Sequence, residues 1–251
     1  TEAGGNFEEA IVILRKKGQK VSSSRADREA NEGAVVTLTN SDATFGVLVA
    51  LTCETDFVAK NEEFVALANQ IAGLALQNNI NSTEALMEVK IDGLSLTEKL
   101  IEYTGKIGEK ISIGRYETMA APGVVTYVHS NNKLGVLVAL NQAASAEATL
   151  AGKDAAMQIA AMNPVAVDKN DVDPTIIERE IEIGKDQARQ EGKPENIIEK
   201  IALGKLNKFY QDNTLLNQAF VKDGSLTVAQ MLDKAAKGLS VTAFKRIAIG
   251  A

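Results

Sequence analysis

The pattern of apolar and polar positions repeats along the chain. The stretch VVTLTNSDATFGVLVAL begins at Val35, and VVTYVHSNNKLGVLVAL begins at Val124; the two align without a gap. Each holds two apolar runs around a polar turn, Asn40-Ser41-Asp42 in the first copy and Ser130-Asn131-Asn132 in the second. Turn-forming residues between apolar runs predict a β-hairpin. A second pair aligns further on: SLTEKLIEYTGKIGEKISIGR from Ser95 and SLTVAQMLDKAAKGLSVTAFK from Ser225. Each opens on a serine suited to cap a helix, runs through a few helical turns, passes a glycine (Gly108 or Gly238) and enters a β-branched strand.

Between hairpin and capped helix, each copy predicts one more helix. In the first, Asn61 is the expected cap, and Phe64, Leu67, Ala68, Ile71, Leu74 and Ala75 recur at helical spacing. In the second, Ala148 to Met162 takes that part. The order is therefore β-β-α-α-β, twice. Short apolar strands bounded by turns, with helices to cover them, predict an α+β fold of two units, each a small, largely antiparallel sheet with helices on one face.

The second copy carries extra chain before Ser225. Asp173-Pro174 reads as a helix start, with aspartate as cap and proline where no amide donor is needed. Gly192-Lys193-Pro194 breaks that helix and starts another, in which Ile197, Ile198, Ile201, Leu206, Phe209 and Tyr210 keep helical spacing. This is a helical hairpin inserted at about residues 165–215, either packed on its own domain or an arm that touches another chain. At the other end, Asn6 and Glu9 read as a capping pair, and Phe7, Ala10, Ile11 and Leu14 form one apolar stripe. A short helix needs a surface to bury such a stripe against. The polar GQKVSSSRADREANEG that follows reads as a linker. The expected organisation is a terminal helix at 1–18, the remnant of an N-terminal helical domain; a linker at 19–33; one core subdomain at 34–122; and a second at 123–251 with the inserted hairpin. Because the chain opens at Thr1 in the approach to a helix, the natural start is expected to lie earlier.

Composition narrows the classes. The chain has 251 residues, 45% hydrophobic and 24% charged, with a formal net charge of -6. A diffuse acidic balance argues against nucleic acid as the main partner, since phosphate backbones attract basic faces. No apolar run approaches the roughly 20 residues a membrane helix needs. Cys53 is the one cysteine, so an internal disulfide is impossible and a reducing, cytoplasmic compartment is the natural reading. No secretory signal is visible.

Catalytic signatures are scarce. There is neither a phosphate-binding Gly-Lys-Ser/Thr loop nor a Gly-x-Ser-x-Gly elbow. His129, the one histidine, lies in the second hairpin turn, where a solvated or turn-bonding role is the ordinary one. One histidine and one cysteine cannot build a nitrogen–sulfur metal site, and Cys53 in an apolar strand reads as a small core residue. Gly105 to Gly108 superficially matches an RNA-clamping Gly-x-x-Gly loop, but a strand pattern follows, so it reads as a helix stop. No cofactor, metal or catalytic residue is expected.

One difference between the copies is sharper. After GVLVAL the first continues Thr52-Cys53-Glu54-Thr55-Asp56-Phe57-Val58, and the second Asn141-Gln142-Ala143-Ala144-Ser145-Ala146-Glu147. The scaffold repeats and the turn does not. Phe57 either staples onto the following helix, with Asp56 favouring that helix's positive end, or serves something outside the chain.

TDFVAKNEEF resembles the signature of bacterial elongation factor Ts. So, in family order, do EAGGNFEEAIVILRKKG, GKIGEKISIGR, HSNNKLGVLVAL, GKPENIIEKIALGKLNKF and LLNQAFVKDGSLTVAQML. The resemblance covers nearly the whole chain. It implies a guanine nucleotide exchange factor for the GTPase elongation factor Tu, cytoplasmic and not an enzyme. It also implies that the first helix closes a small UBA-like N-terminal domain. The family's Asp-Phe pair intrudes near the GTPase's magnesium and phosphate site. Carried over, Asp56 and Phe57 are central, with Thr55 and Val58 flanking. Ile107, Gly108, His129, Val221 and Lys222 match secondary contact positions. Where the family usually has Gln-Pro-Phe, this chain has Gln218-Ala219-Phe220. The inserted hairpin corresponds to a coiled-coil arm that self-associates in some members, which implies a possible homodimer. The alternative reading is an RNA- or ribosome-associated structural protein that uses the hairpin.

Overall fold

A computed structural model describes residues 2–4 and 6–250, the side chain of Phe7 excepted. The expected stripe residue Phe7 and the chain ends at Thr1 and Ala251 therefore lie outside the described set. In chain order the first half holds α1 (Phe7–Ser24), β1 (Glu32–Thr39), β2 (Phe45–Cys53), α2 (Asp56–Ala59), α3 (Glu62–Gln77), α4 (Thr83–Met87), β3 (Lys90–Ile91), β4 (Leu94–Ser95), α5 (Leu96–Ile107) and β5 (Ser112–Ala120). The second half holds β6 (Gly123–Val128), β7 (Leu134–Leu140), α6 (Ala146–Met162), α7 (Pro174–Gln190), α8 (Glu195–Asn213), β8 (Ala219–Phe220), β9 (Asp223–Thr227), α9 (Val228–Ala235) and β10 (Val241–Ala248). The repeated β-β-α-α-β order is present, with short elements added, and the fold is α+β. One three-stranded sheet has the order β1-β2-β5 and another β10-β7-β6. The chain divides into two compact units. One runs to Ala120 and takes in Thr126–Leu137 and the stretch from Lys245; the other comprises Ala121–Val125 and Val138–Phe244.

In the first unit, β2 pairs antiparallel with β1, Val36 opposite Val49, and with β5, Val49 opposite Tyr116. Val47, Val49 and Leu51 turn one face of β2 onto Phe64, Leu67, Ala68 and Ile71 of α3. Leu48 and Ala50, on the other face, are buried as well. A strand buried on both faces explains why its sequence is continuously apolar rather than alternating. Burying a side chain such as Phe64 or Ile71 contributes about 1.5–3 kcal/mol. The Asn61 side chain caps α3 by accepting the Glu63 amide at 2.8 Å.

The helix starts separate the two copies. Ser95 caps α5 in a reciprocal box with Glu98. Ser225 does not cap its helix: it lies in β9, its hydroxyl bonded to Asp223 at 2.6 Å, and the cap is Thr227 in a box with Gln230. The reason is chemical. A box needs Glu or Gln three residues on, which Thr227 has; Ser225 is followed at that spacing by Val228.

At the N-terminus, Asn6 accepts the Glu9 amide at 3.2 Å as expected. The helix does not stop near Gly18 but continues to Ser24, into the stretch expected to be linker. Gly18 is where α1 crosses α5: a Cβ on Gly105 would lie 2.5 Å from the Gly18 Cα. Of the predicted stripe, Ala10 is half-buried. Ile11 and Leu14 are exposed, while Gly18 is buried against α5 and Val21 is half-buried.

In the second unit, α7 and α8 form the expected hairpin. Asp173 caps α7, with Pro174 in its first turn, and Gly192 takes the left-handed turn between the helices. The seam is built of small residues, Ala188 and Ala202 fully buried, and a Cβ on Gly184 would lie 3.1 Å from the Ala202 Cα. Ile183, Ile197 and Leu203 stay exposed. Among the described residues no helix is long and apolar enough to cross a membrane.

Candidate functional site

The strand β2 ends at Cys53, and the chain turns at Glu54-Thr55 into the single turn of α2. Cys53 is buried and donates its thiol to the Thr55 carbonyl at 3.2 Å. Burial, with Glu109 nearby, pushes that thiol's pKa up to about 12, so it is an inert core group. Thr55 adopts extended backbone, and its hydroxyl oxygen accepts the Val58 amide at 3.4 Å, closing the first turn. Ala59 is buried, Val58 packs partly against the core, and Asn61 then starts α3.

Phe57 stands out from this frame. The residue is 83% exposed, the most open of the large apolar residues described. It does not staple onto α3, which excludes one of the two roles the sequence leaves open. Asp56 is half-exposed and paired with Lys60, one helical turn on, at 2.6 Å. That hydrogen bond holds the Asp56 carboxyl below its ordinary pKa, with Lys133 adding a weaker positive field. The same bond raises Lys60. Exposed pairs of this kind are weak and screened by solvent, so Asp56 is readily released to another cation or donor.

What fixes the turn is a residue the sequence did not single out. The Glu109 carboxylate accepts the Glu54 amide at 3.1 Å, the Thr55 amide at 3.0 Å and the Thr55 hydroxyl at 2.7 Å. In return the Glu54 carboxylate accepts the Lys110 amide at 2.7 Å. That amide holds the Glu54 carboxyl below its ordinary pKa, and Arg25, with its Nη1 2.8 Å and 3.0 Å from the two oxygens, assists. The Lys110 ammonium reaches the Ala26 and Arg28 carbonyls at 2.7 Å and 3.0 Å. The end of α1, the β2–α2 corner and the α5–β5 corner are thereby knotted by charge-assisted bonds.

This knot brings two of the expected groups together. Ile107 ends α5, and Gly108 caps it in the left-handed region, φ 83°, donating to the Thr104 carbonyl at 2.8 Å. That exit directs Glu109 at Thr55. Ile107 is part of the protein's own core, leaving only a portion of its side chain outward. His129 is exposed in the second hairpin turn, its Nδ1 2.9 Å from the Tyr127 hydroxyl, and its amide donates to the Leu134 carbonyl at 2.8 Å. Next to that turn, Lys133 pairs with Glu32 of β1 at 2.6 Å.

Val221 and Lys222 belong to the other unit, where they make the two-residue turn between β8 and β9. Val221 is exposed, and Lys222 pairs with Asp154 of α6 at 2.7 Å. The turn is held from beneath by Gln158, which is fully buried. Its amide group donates to Gln218 at 3.0 Å and to the Ala219 carbonyl at 3.1 Å, while its oxygen accepts the Val221 amide at 2.9 Å. Gln218 is extended, with φ -62°. At Ala219, the position where the resembled family has proline, the backbone is therefore fixed by side-chain bonds.

A profile of the family described as Elongation factor TS matches residues 54–251. Elongation factor Ts of Cytophaga hutchinsonii is similar to this chain, 55% identical over 250 residues that cover 99% of this chain and 90% of the relative. Its counterpart in Amoebophilus asiaticus is 51% identical over 251 residues, 100% of this chain and 91% of the relative. One from Porphyromonas gingivalis is 43% identical over 251 residues, covering 100% and 90%.

Proposed function

The chain belongs to the elongation factor Ts family and is a translation elongation factor; on that premise we propose that it is a guanine nucleotide exchange factor that binds GDP-bound elongation factor Tu and promotes GDP release. The observation that carries the reading is Phe57: a large aromatic residue, 83% exposed, on a turn whose entry is held by Glu109 at the Glu54 and Thr55 amides. Exposing an aromatic ring on a rigid support has no folding benefit, and it is the arrangement of an interface anchor that fills a pocket on a partner.

In this reading Phe57 wedges into the GTPase beside its magnesium and phosphate site, and Asp56 leaves Lys60 to meet polar groups there. Thr55 and Val58 hold the turn. Magnesium bridges nucleotide phosphate to protein, so disturbing its surroundings weakens nucleotide binding directly. The factor breaks no covalent bond and holds no nucleotide or metal of its own. Exchange is then a coupling: if the bound factor weakens GDP binding, bound GDP weakens factor binding by the same ratio. Each ~1.4 kcal/mol of differential binding is about tenfold in affinity.

Ile107, Gly108, His129, Val221 and Lys222 are assigned as secondary contacts of the same partner. Val221 is well suited, being apolar, exposed and on a rigid turn. The protein acts in the cytoplasm. The hairpin, with Ile183, Ile197 and Leu203 exposed, is assigned a role in self-association. The test of the main reading is to mix the chain with elongation factor Tu loaded with a fluorescent GDP analogue and follow nucleotide release. Acceleration in proportion to added chain supports it, and release at the spontaneous rate overturns it.

A further inference from the structure

We propose that Glu109 is a positioning residue for nucleotide exchange, setting the direction in which Phe57 leaves the protein. The inference rests on the exchange reading and names the part of the fold that aims it. Phe57 is 83% exposed, so almost nothing in its own chain holds the ring; its direction is inherited from the backbone of α2. That backbone is set at Thr55, whose hydroxyl caps the turn through the Val58 amide. Thr55 in turn is held by Glu109 at both its amide (3.0 Å) and its hydroxyl (2.7 Å). A single carboxylate thus fixes both the entry of the chain into the turn and the rotamer of the capping side chain. Holding an active group in register through such supporting bonds is the usual way that a site on a short turn gains accuracy.

The internal repeat supplies the control. In the gap-free hairpin alignment Thr55 corresponds to Ala144; Asn141, the counterpart of Thr52, bonds Ser240 where Thr52 pairs with Ser112, so Lys237 stands where the first copy has Glu109. The copy without Asp-Phe in its turn therefore lacks both halves of the clamp. Leu239 matches the buried Ile111 instead. That copy ties its own corner by other means: Asn141 exchanges side-chain bonds with Ser240 and Gly238, at 2.8 Å each, and Gln142 donates to the Lys237 carbonyl at 3.0 Å. A β-to-α corner of this fold can be closed without a carboxylate clamp. The clamp accompanies the exposed Phe57 rather than the scaffold.

The experiment measures release of a fluorescent GDP analogue from elongation factor Tu across a range of factor concentrations. It yields a maximal rate and a half-saturating concentration, for wild type, Glu109→Gln, Thr55→Val and the double variant. Thermal melts accompany each. Glu109→Gln keeps the shape and removes the charge that three donors share. The expected result is a maximal rate lower by about tenfold, the ratio for loss of hydrogen bonding to a charged acceptor. The half-saturating concentration should stay within about threefold. The double variant should match the more affected single one, since both changes break one unit. A residue that only supports the fold would lower the melting temperature and the active fraction while the maximal rate per active molecule stayed at wild type; that outcome overturns the proposal. If Glu109→Gln melts below the assay temperature, Glu109→Asp, one methylene too short to span both donors, is read in its place. An unchanged maximal rate for it overturns the proposal equally. If wild type itself leaves release at the spontaneous rate, the exchange reading has failed, a result distinct from an active wild type matched by an equally active Glu109→Gln.

Discussion

Gly105 of α5 and Gly18 of α1 meet backbone to backbone: a Cβ added to Gly105 would lie 2.5 Å from the Gly18 Cα. The contact lets α1 cross α5 closely at Gly18, since a side chain at Gly105 would hold the helices apart. Gly105→Ala sets two effects against each other. Alanine favours a helix interior by about 1 kcal/mol over glycine, while overpacking a tight contact costs about 1–3 kcal/mol. With backbone on the other side, the clash cannot be relieved by a flexible side chain and should win. The expected outcome is faster amide hydrogen exchange throughout α1 with α3 protected as before. A variant with slower exchange in α1 would contradict the close crossing.

Glu54 carries a pH dependence. The Lys110 amide and Arg25 depress its folded-state pKa. A carboxylate depressed on folding stabilises the protein above its unfolded-state pKa, and that stability is lost as pH falls through the depressed value. Glu54→Gln should therefore be less stable than wild type near neutrality, and the difference should shrink as pH drops below the ordinary carboxylate range. Denaturant melts at a series of pH values check the sign. A gap that widens on acidification would be inconsistent with the knot.

Gln158 is the buried support of the Val221-Lys222 turn. Gln158→Leu matches its bulk and strands the Val221 amide and the Ala219 carbonyl. Each unsatisfied buried group costs about 1–3 kcal/mol. A loss of roughly 2–4 kcal/mol in chemical denaturation is expected, with the turn itself more mobile by nuclear magnetic resonance relaxation. A neutral substitution would mean that the three bonds are replaced by solvent.

The hairpin gives a further test. Ile197 and Leu203 are exposed on α8, away from the small-residue seam. Replacing both with lysine should leave the fold's stability within about 0.5 kcal/mol, the usual range for surface changes. It should also shift any dimer to monomer in sedimentation velocity. A dimer that survives both lysines assigns self-association to another surface.

The sequence made some of this legible and concealed the rest for identifiable reasons. The doubled hairpins and the α3 stripe were readable because apolar periodicity is local and strong. The misplaced cap at Ser225 was avoidable: Thr227 with Gln230 three residues later is the better box, and the gap-free alignment drew attention to the wrong serine. Gly18 misled because a glycine that ends a helix and one that lets two helices touch look the same in one dimension. Phe57 and Asp56 stood out because the repeat made their absence from the second copy visible and because TDFVAKNEEF resembles a family signature. Glu109 was hidden because its bonds to Glu54 and Thr55 span 55 and 54 positions. Local pattern has no view of such contacts.

The most direct measurement is GDP release from elongation factor Tu driven by Phe57→Ala. At 83% exposed, Phe57 contributes little to folding, so the variant should melt within about 0.5 kcal/mol of wild type. Its acceleration of release should fall by about thirtyfold, the ratio that ~2 kcal/mol of lost anchoring gives. A folded Phe57→Ala protein that releases nucleotide as fast as wild type would contradict the account.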